Sequence, residues 1–279
     1  MQSTTTPPEF TWRDEAGSYL QLMRAAVMGR MEYRGSFIVF IVTLLGFYGA
    51  QIAVIGLMLQ RFERIGGWSA GDIAFLYGLL VLAQGLTASV TAGMIDFSEF
   101  VREGTFDRVL LRPLSPLGQI LAMRFDPAGV AHLALGIAAM AVATNLLEGF
   151  VWSLQIFALL AVTVIGGALI LSAIRIMIGA VAFFTVSNQG LQHLVVFSSR
   201  EFLLYPVDIY NRPVRVLLTF LFPVAFINFY PAHLFLDRTT ETLFHANFIY
   251  LTVPVGIVTM LVALAFWSFA VSKYSSTGN

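Results

Sequence analysis

Residues 73–95 read IAFLYGLLVLAQGLTASVTAGMI, twenty-three positions without an Asp, Glu, Lys or Arg. At 1.5 Å per residue a helix of that length reaches roughly 35 Å, enough to cross the ~30 Å hydrocarbon core of a bilayer. Six more stretches free of those four residues occur at 35–60, 127–147, 149–174, 176–199, 216–236 and 242–272. The composition of the 279-residue chain agrees: 58% falls in the AVILMFWYC set and only 11% is charged, less than half the ~25% of soluble domains. A soluble domain of this size has too little interior to hide that much apolar surface. These proportions exclude a soluble enzyme, a disordered chain and a nucleic-acid binder. They point to an all-α integral membrane protein.

Two absences narrow the chemistry. There is no Cys, which removes disulfides, thiolate metal sites and cysteine nucleophiles. The one Lys, Lys273, stands in the context Ala-Val-Ser-Lys-Tyr, unlike the Gly-x-x-x-x-Gly-Lys-[Ser/Thr] loop that cradles phosphates. The chain is therefore read as no enzyme and as binding no cofactor, with any ATP hydrolysis placed on another polypeptide. No two His stand at metal-ligand spacing beside a carboxylate, and no Gly-x-Ser-x-Gly is present. His132 reads as a packed histidine with a backbone partner, and His233 and His245 as surface or outer-leaflet residues.

Charge sets the orientation. With the N-terminus in the cytoplasm, ten basic residues fall inside and six outside, whether 216–236 crosses or stays on the outer side; this is the positive-inside bias. Prolines decide the doubtful segment. Pro223 and Pro231 lie within 216–236, with Pro206 and Pro213 just before it. Each removes an amide donor and clashes with the preceding turn, so the segment reads as short broken helices dipping into the outer leaflet. Six spans result, at about 36–60, 73–95, 127–147, 150–174, 176–199 and 246–270, within a transmembrane domain at 35–272. The leading segment 1–34 and the tail 273–279 are both cytoplasmic. The turn between the fourth and fifth spans is placed at Arg175, the only charge in 149–199. Ser187-Asn188-Gln189-Gly190 is the alternative.

The loop 96–126 is the most informative polar piece. Phe106, Val109, Leu110, Pro113, Leu117, Ile120 and Leu121 share one side at helical spacing, and Arg108, Arg112, Ser115 and Gln119 the other. Pro113 and Pro116 argue for two short amphipathic helices joined near Leu111–Pro113. One reading is a basic loop lying on anionic headgroups. The other is a docking element whose apolar side packs on the spans while Glu103, Asp107, Arg108 and Arg112 face a cytosolic partner.

Within this loop Gly104-Thr-Phe-Asp107-Arg-Val-Leu-Leu-Arg112-Pro113 resembles the Gly-x-Phe-Asp-x-x-Leu-x-Arg-Pro element of type-2 ABC transporter permeases, the membrane subunits of bacterial ABC exporters. Tyr205-Pro206-Val-Asp-Ile-Tyr210 and Phe222-Pro223-Val-Ala-Phe-Ile-Asn-Phe-Tyr230-Pro231-Ala232 are similar to a second pattern of the small, separately encoded permeases. The resemblance covers most of 20–272. It implies six spans, a coupling helix in 96–126 that touches the ATPase, and outer re-entrant helices over 200–241, marked here by Pro206, Pro223 and Pro231. It also implies a cytoplasmic (inner) membrane location and two ABC ATPase subunits that bind ATP and Mg. A second permease chain, a different permease or an identical copy, completes the assembly.

Polar residues within the spans carry the remaining expectation. Tyr77, Gln84, Thr87 and Thr91 lie along one face of the second span, and Asn188, Gln192 and His193 fall in the fifth. In permeases of the resembled type these two spans line the central path, so these residues are its candidate lining. Interhelical hydrogen bonding, at ~0.6 kcal/mol on average, explains them equally without a substrate. Residues 16–34 read as an interfacial helix with Leu20, Met23, Val27 and Met31 on one face, or as a basic lead-in. A different class, an ion-coupled carrier or channel, would call for intramembrane carboxylates or an internal repeat. No Asp or Glu lies in any assigned span.

Overall fold

The computed structural model describes residues 12–31, 35, 38–39, 42–43, 45–50, 53, 57, 64–124, 126–185, 189–192, 201–238 and 243–275. In chain order the helices are α1 (Trp12–Met31), α2 (Ala70–Thr91), α3 (Phe97–Arg102), α4 (Phe106–Leu110), α5 (Pro116–Ala122), α6 (Ala128–Leu146), α7 (Leu154–Val181), α8 (Gln189–Gln192), α9 (Arg212–Val216), α10 (Phe229–Phe235) and α11 (Thr252–Ser272). No strand occurs among the described residues, as an all-α chain requires.

Helix α2 is the axis of the molecule. It opens on a capping box: Ser69 Oγ accepts from the Asp72 amide while the Asp72 carboxylate accepts from the Ser69 amide, satisfying two orphan donors at once. Along its length only Val90 is exposed. Helix α6 runs back along it, and glycines set the approach. A Cβ on Gly71 would stand 3.0 Å from Leu147, one on Gly78 3.0 Å from Met140, and one on Gly85 2.7 Å from Leu133. The knobs and the gaps are both seven residues apart. In return Gly136 on α6 receives Leu82, and Gly129 receives Ser89. Small residues of this kind let backbones close in and gain dispersion contacts where lipid offers no hydrophobic drive. Helix α11 meets α7 in the same way, with a Cβ on Gly256 only 2.7 Å from the Gly166 carbonyl oxygen.

Four segments are long and apolar enough to cross a membrane: Ala70–Arg102, Ala128–Leu146, Leu154–Val181 and Thr252–Ser272. A bent pair, Arg212–Leu221 and Pro223–Phe235, meets at 71° and would make a fifth. The break falls where the prolines placed it. Pro223 has no amide to donate, and the turn before it widens into a π-helix at Leu217–Leu221, with the Phe222 amide reaching Leu217 O at 2.9 Å. About half of the first expected span, 36–60, lies outside the described residues, as do 186–188 and 193–199 of the fifth.

One expected boundary is corrected. The turn at Arg175 does not exist; α7 runs unbroken through it from Leu154 to Val181. A lone Arg is not a helix stop. Arg175 lies six residues from the helix end, roughly 9 Å along the axis, and donates to Thr91 Oγ1 on α2 at 3.3 Å. The chain turns at 182–185 instead, and Asn188 of the alternative turn lies outside the described residues.

Candidate functional site

The loop 96–126 folds as three short helices, α3, α4 and α5, where two were expected. The added break is at Gly104, whose φ of 67° ends α3 in the left-handed region, a conformation glycine enters without a Cβ penalty. The expected break near Leu111–Pro113 is present, with α5 beginning at Pro116 behind Ser115, whose hydroxyl accepts from the Gly118 amide. None of the three is long enough to be stable alone, so packing must hold them.

That packing is aromatic. Phe106, fully buried, meets the rings of Phe97, Phe183 and Tyr274 at centroid distances of 5.7, 5.0 and 5.1 Å. Phe97 and Phe183 also meet Trp267 on α11, at 5.1 and 5.4 Å. Most of these pairs are edge-to-face, the favoured geometry for aromatic quadrupoles. Five rings from α3, α4, the end of α7 and the end of α11 thus pin the loop to the bundle. Val109, Leu117 and Ile120 bury on the same side, as expected, whereas Leu110 and Pro113 are exposed. Gln119, expected on the polar side, is fully buried and donates to the carbonyls of Val109 and Leu114 at 3.0 and 3.1 Å. It bridges the gap between α4 and α5 that the prolines open.

The charges divide. Glu103, Arg108 and Arg112 are exposed and line a cleft of about 620 Å³ together with Asp96 and Glu99. Asp96 pairs with Arg124, and Glu99 with Arg102 at 3.1 Å. Asp107 points the other way and accepts from the Tyr274 hydroxyl at 2.9 Å. Burial first, and then the Asp107 carboxylate, push the Tyr274 phenol up to about 12. At the far side of the loop, Gly118 leaves room for Tyr19 of α1, whose hydroxyl would be 2.7 Å from a Cβ there. Leu20, Met23 and Met28 of α1 are exposed.

The four polar residues of α2 are buried inside this one chain. Thr87 Oγ1 donates to Ala83 O at 2.9 Å and lies 3.3 Å from Ala168 O on α7. Thr91 Oγ1 donates to Thr87 O at 2.7 Å and accepts from Arg175. Tyr77 and Gln84 are buried on the same helix, and among the described residues Gln84 Oε1 has no hydrogen-bond partner. Interhelical bonding thus accounts for Thr87 and Thr91. Asn188 and His193 lie outside the described residues, and of Gln192 only the backbone, in α8, is described.

Against known proteins, the model of a family described as ABC-2 family transporter protein matches residues 45–278. The chain belongs to that family. It is a multi-pass membrane permease, a component of a transporter. No curated protein and no solved structure matches it.

The permease's other end is built around Trp68, which sequence reasoning passed over. Trp68 is buried, with its Nε1–H donating to Asp208 at 2.9 Å. Pro206 opens the 3-10 turn Val207–Ile209 that carries Asp208, Pro223 opens the 3-10 turn after the break, and Pro231 sits in the first turn of α10. Asn228 is buried and donates to Leu76 O and Leu203 O at 3.3 and 2.9 Å. For His233 the surface alternative is corrected. The residue is fully buried, donates from Nδ1 to Phe229 O at 2.8 Å, and sets its ring edge-on to Trp68. A carbonyl four residues back satisfies the polar atom that seemed to require solvent. His132 satisfies itself likewise on Ala128 O at 2.6 Å and accepts from Tyr48. His245 is exposed, as expected.

The residues that sequence reasoning missed at the loop are Phe97, Phe183, Trp267 and Tyr274. Among 25 Phe, Phe183 carries no distinguishing local pattern. The usable signal was Phe97 and Phe106 flanking a glycine, which places two large rings on one short hairpin of helices.

Proposed function

We propose that this chain is the membrane half of an ABC exporter in the cytoplasmic membrane, with six spans and both termini cytoplasmic. Two copies of a separate ABC ATPase bind ATP and Mg and hydrolyse it. A second permease chain, different or identical, completes the path, and membrane lipid surrounds the whole. The observation that carries the reading is the two-sidedness of 96–126. Its aromatic side is locked into the bundle, while Glu103, Arg108 and Arg112 are held out at a cleft with no ion-pair partner among the described residues.

A docked ATPase that moves this loop moves α2, because the 3-10 turn Ala92–Met94 packs directly on α5: a Cβ on Gly93 would collide with the Ile120 carbonyl. Five rings make the joint stiff, so motion is passed on rather than absorbed. Glu103, Arg108 and Arg112 in the cleft suit a partner surface of complementary charge, joined by charge-assisted hydrogen bonds. Asp107 contributes from inside, holding the C-terminal tail through Tyr274. Asn188, Gln192 and His193 remain the proposed border of the path between the two permeases, and Tyr77, Gln84, Thr87 and Thr91, buried within the single chain, would join it only where α2 and α7 part.

Co-purification of the chain with its ATPase tests the reading. Charge reversal at Glu103 or Arg108 should lower permease-stimulated ATP hydrolysis while leaving membrane insertion intact. Hydrolysis unchanged in both variants would remove the loop from coupling.

A further inference from the structure

The end of α2 remote from the loop carries a second dense joint. Trp68 stands at its centre, between three chain segments. The turn 64–69 supplies the indole. The stretch 203–215 supplies Asp208, which takes the indole N–H at 2.9 Å, and Arg215, which closes the 3-10 turn by donating to Asp208 O. The stretch 226–238 supplies Phe229 and His233, at centroid distances of 5.7 and 5.3 Å from the indole, and Arg238, whose guanidinium lies 4.6 Å from the ring centroid. Arg238 also donates to Gly67 O at 2.8 Å and lies 3.5 Å from the Asp72 carboxylate in the first turn of α2. Gly66, at φ 59°, lets Ile209 pack where a side chain would stand.

We infer that Trp68 is a positioning residue that fixes the bent segment 203–238 to the N-terminal end of α2, so that the two move as one body and the segment does not swing as an independent lid. The contacts are of kinds that add. A hydrogen bond to a carboxylate and a cation–π contact in a desolvated site each exceed their exposed counterparts. Both depend on the same ring, and its partners come from both of the other segments. The role in transport rests on the exporter reading above; the clamp itself does not.

The protein has no cysteine, so an introduced pair reports cleanly. A Cβ on Gly66 would lie 3.9 Å from Ile209 Cβ, close to the ~3.8 Å mean of disulfides. In membranes carrying the full chain, Gly66→Cys/Ile209→Cys should cross-link in the majority of copies under copper phenanthroline. Adding Trp68→Ala should slow closure by about 10-fold or more, the loss of one charged hydrogen bond and one cation–π contact. Asp208→Ala should slow it too, whereas Asp208→Asn, which keeps an acceptor for the indole, should restore the rate. Equal rates in all backgrounds overturn the clamp; should the pair not close at all, because a Cβ at φ 59° strains the turn, the exchange comparison that follows decides it. As a check that needs no cysteine, hydrogen exchange over 203–210 should rise in Trp68→Ala while that over Ala128–Leu146 stays unchanged; a uniform rise, or none, also overturns it. With the ATPase bound, closure should proceed at one rate without nucleotide and with MgATP plus vanadate. A rate that falls with nucleotide shows a swinging lid and refutes the one-body inference. Failure of any ATPase to co-purify would refute the exporter reading and leave the cross-linking results standing.

Discussion

Replacing Phe106 by Ala tests how the loop is held. The ring is fully buried and touches three other rings. Truncating a buried Phe to Ala generally destabilises by ~3–5 kcal/mol, through lost transfer energy plus the cavity left behind. Where that loss appears depends on what the ring supports. Helix α4 has five residues and α3 six, too short to persist without packing, whereas α2, α6, α7 and α11 keep their own contacts. The damage should therefore be a local opening of the loop rather than unfolding of the bundle. At the low end, ~3 kcal/mol corresponds to ~10²-fold more frequent opening. Two assays read it. Hydrogen exchange of 97–122 in lipid nanodiscs should accelerate by about that factor with Ala70–Thr91 unchanged. Trypsin should also cut faster after Arg102 and Arg108, which are exposed already but held in structure. Phe106→Leu, which keeps most of the volume, should lie between. Loop exchange equal to that of the wild type would refute the aromatic anchor. Collapse of the whole protein in Phe106→Ala would refute the claim that the anchor is local.

Three further outcomes are expected. Gly93→Ala should reduce stability and coupled hydrolysis together, because its Cβ meets a backbone carbonyl rather than a mobile side chain; a thermal-shift assay on the purified chain reads the first effect. The Tyr274 phenol, raised from about 10 to about 12, favours its protonated form in the folded protein. Its tie to Asp107 should be fully present below pH ~10 and be lost as pH rises toward 12, visible as a late-titrating ultraviolet band that Tyr274→Phe removes. Arg175→Leu should leave α7 helical and inserted, since no turn depends on it, while Arg175→Glu should impair insertion by placing an acid beside Thr91 in apolar surroundings.

Much of this architecture was legible from local rules. Charge-free stretches located α2, α6, α7 and α11, because spanning a bilayer requires length and apolarity together. Pro223 located the 71° bend, since a missing amide donor is a local fact. The two-sidedness of the loop 96–126 followed from periodicity. What escaped reading was whatever depends on a partner distant in sequence. Arg175 looked like a boundary because its partner, Thr91, is 84 positions away. His233 looked exposed because Trp68 and Phe229 only meet it after folding. Gln119 looked polar-facing because the two carbonyls it serves are freed by a break elsewhere in the loop. The five-ring anchor draws one ring each from four elements and the chain's tail, and no single window contains it.

The glycine spacing along α2 has one mechanical consequence. Leu133, Met140 and Leu147 occupy notches repeated every two turns, so a slide of one helix along the other would have to traverse a full repeat of roughly 10 Å before the notches matched again. Any smaller slip drives side chains into backbone. The pair therefore works as a keyed shaft: it can tilt or turn as a unit, but it has no intermediate setting in which a stroke delivered at one end could be lost.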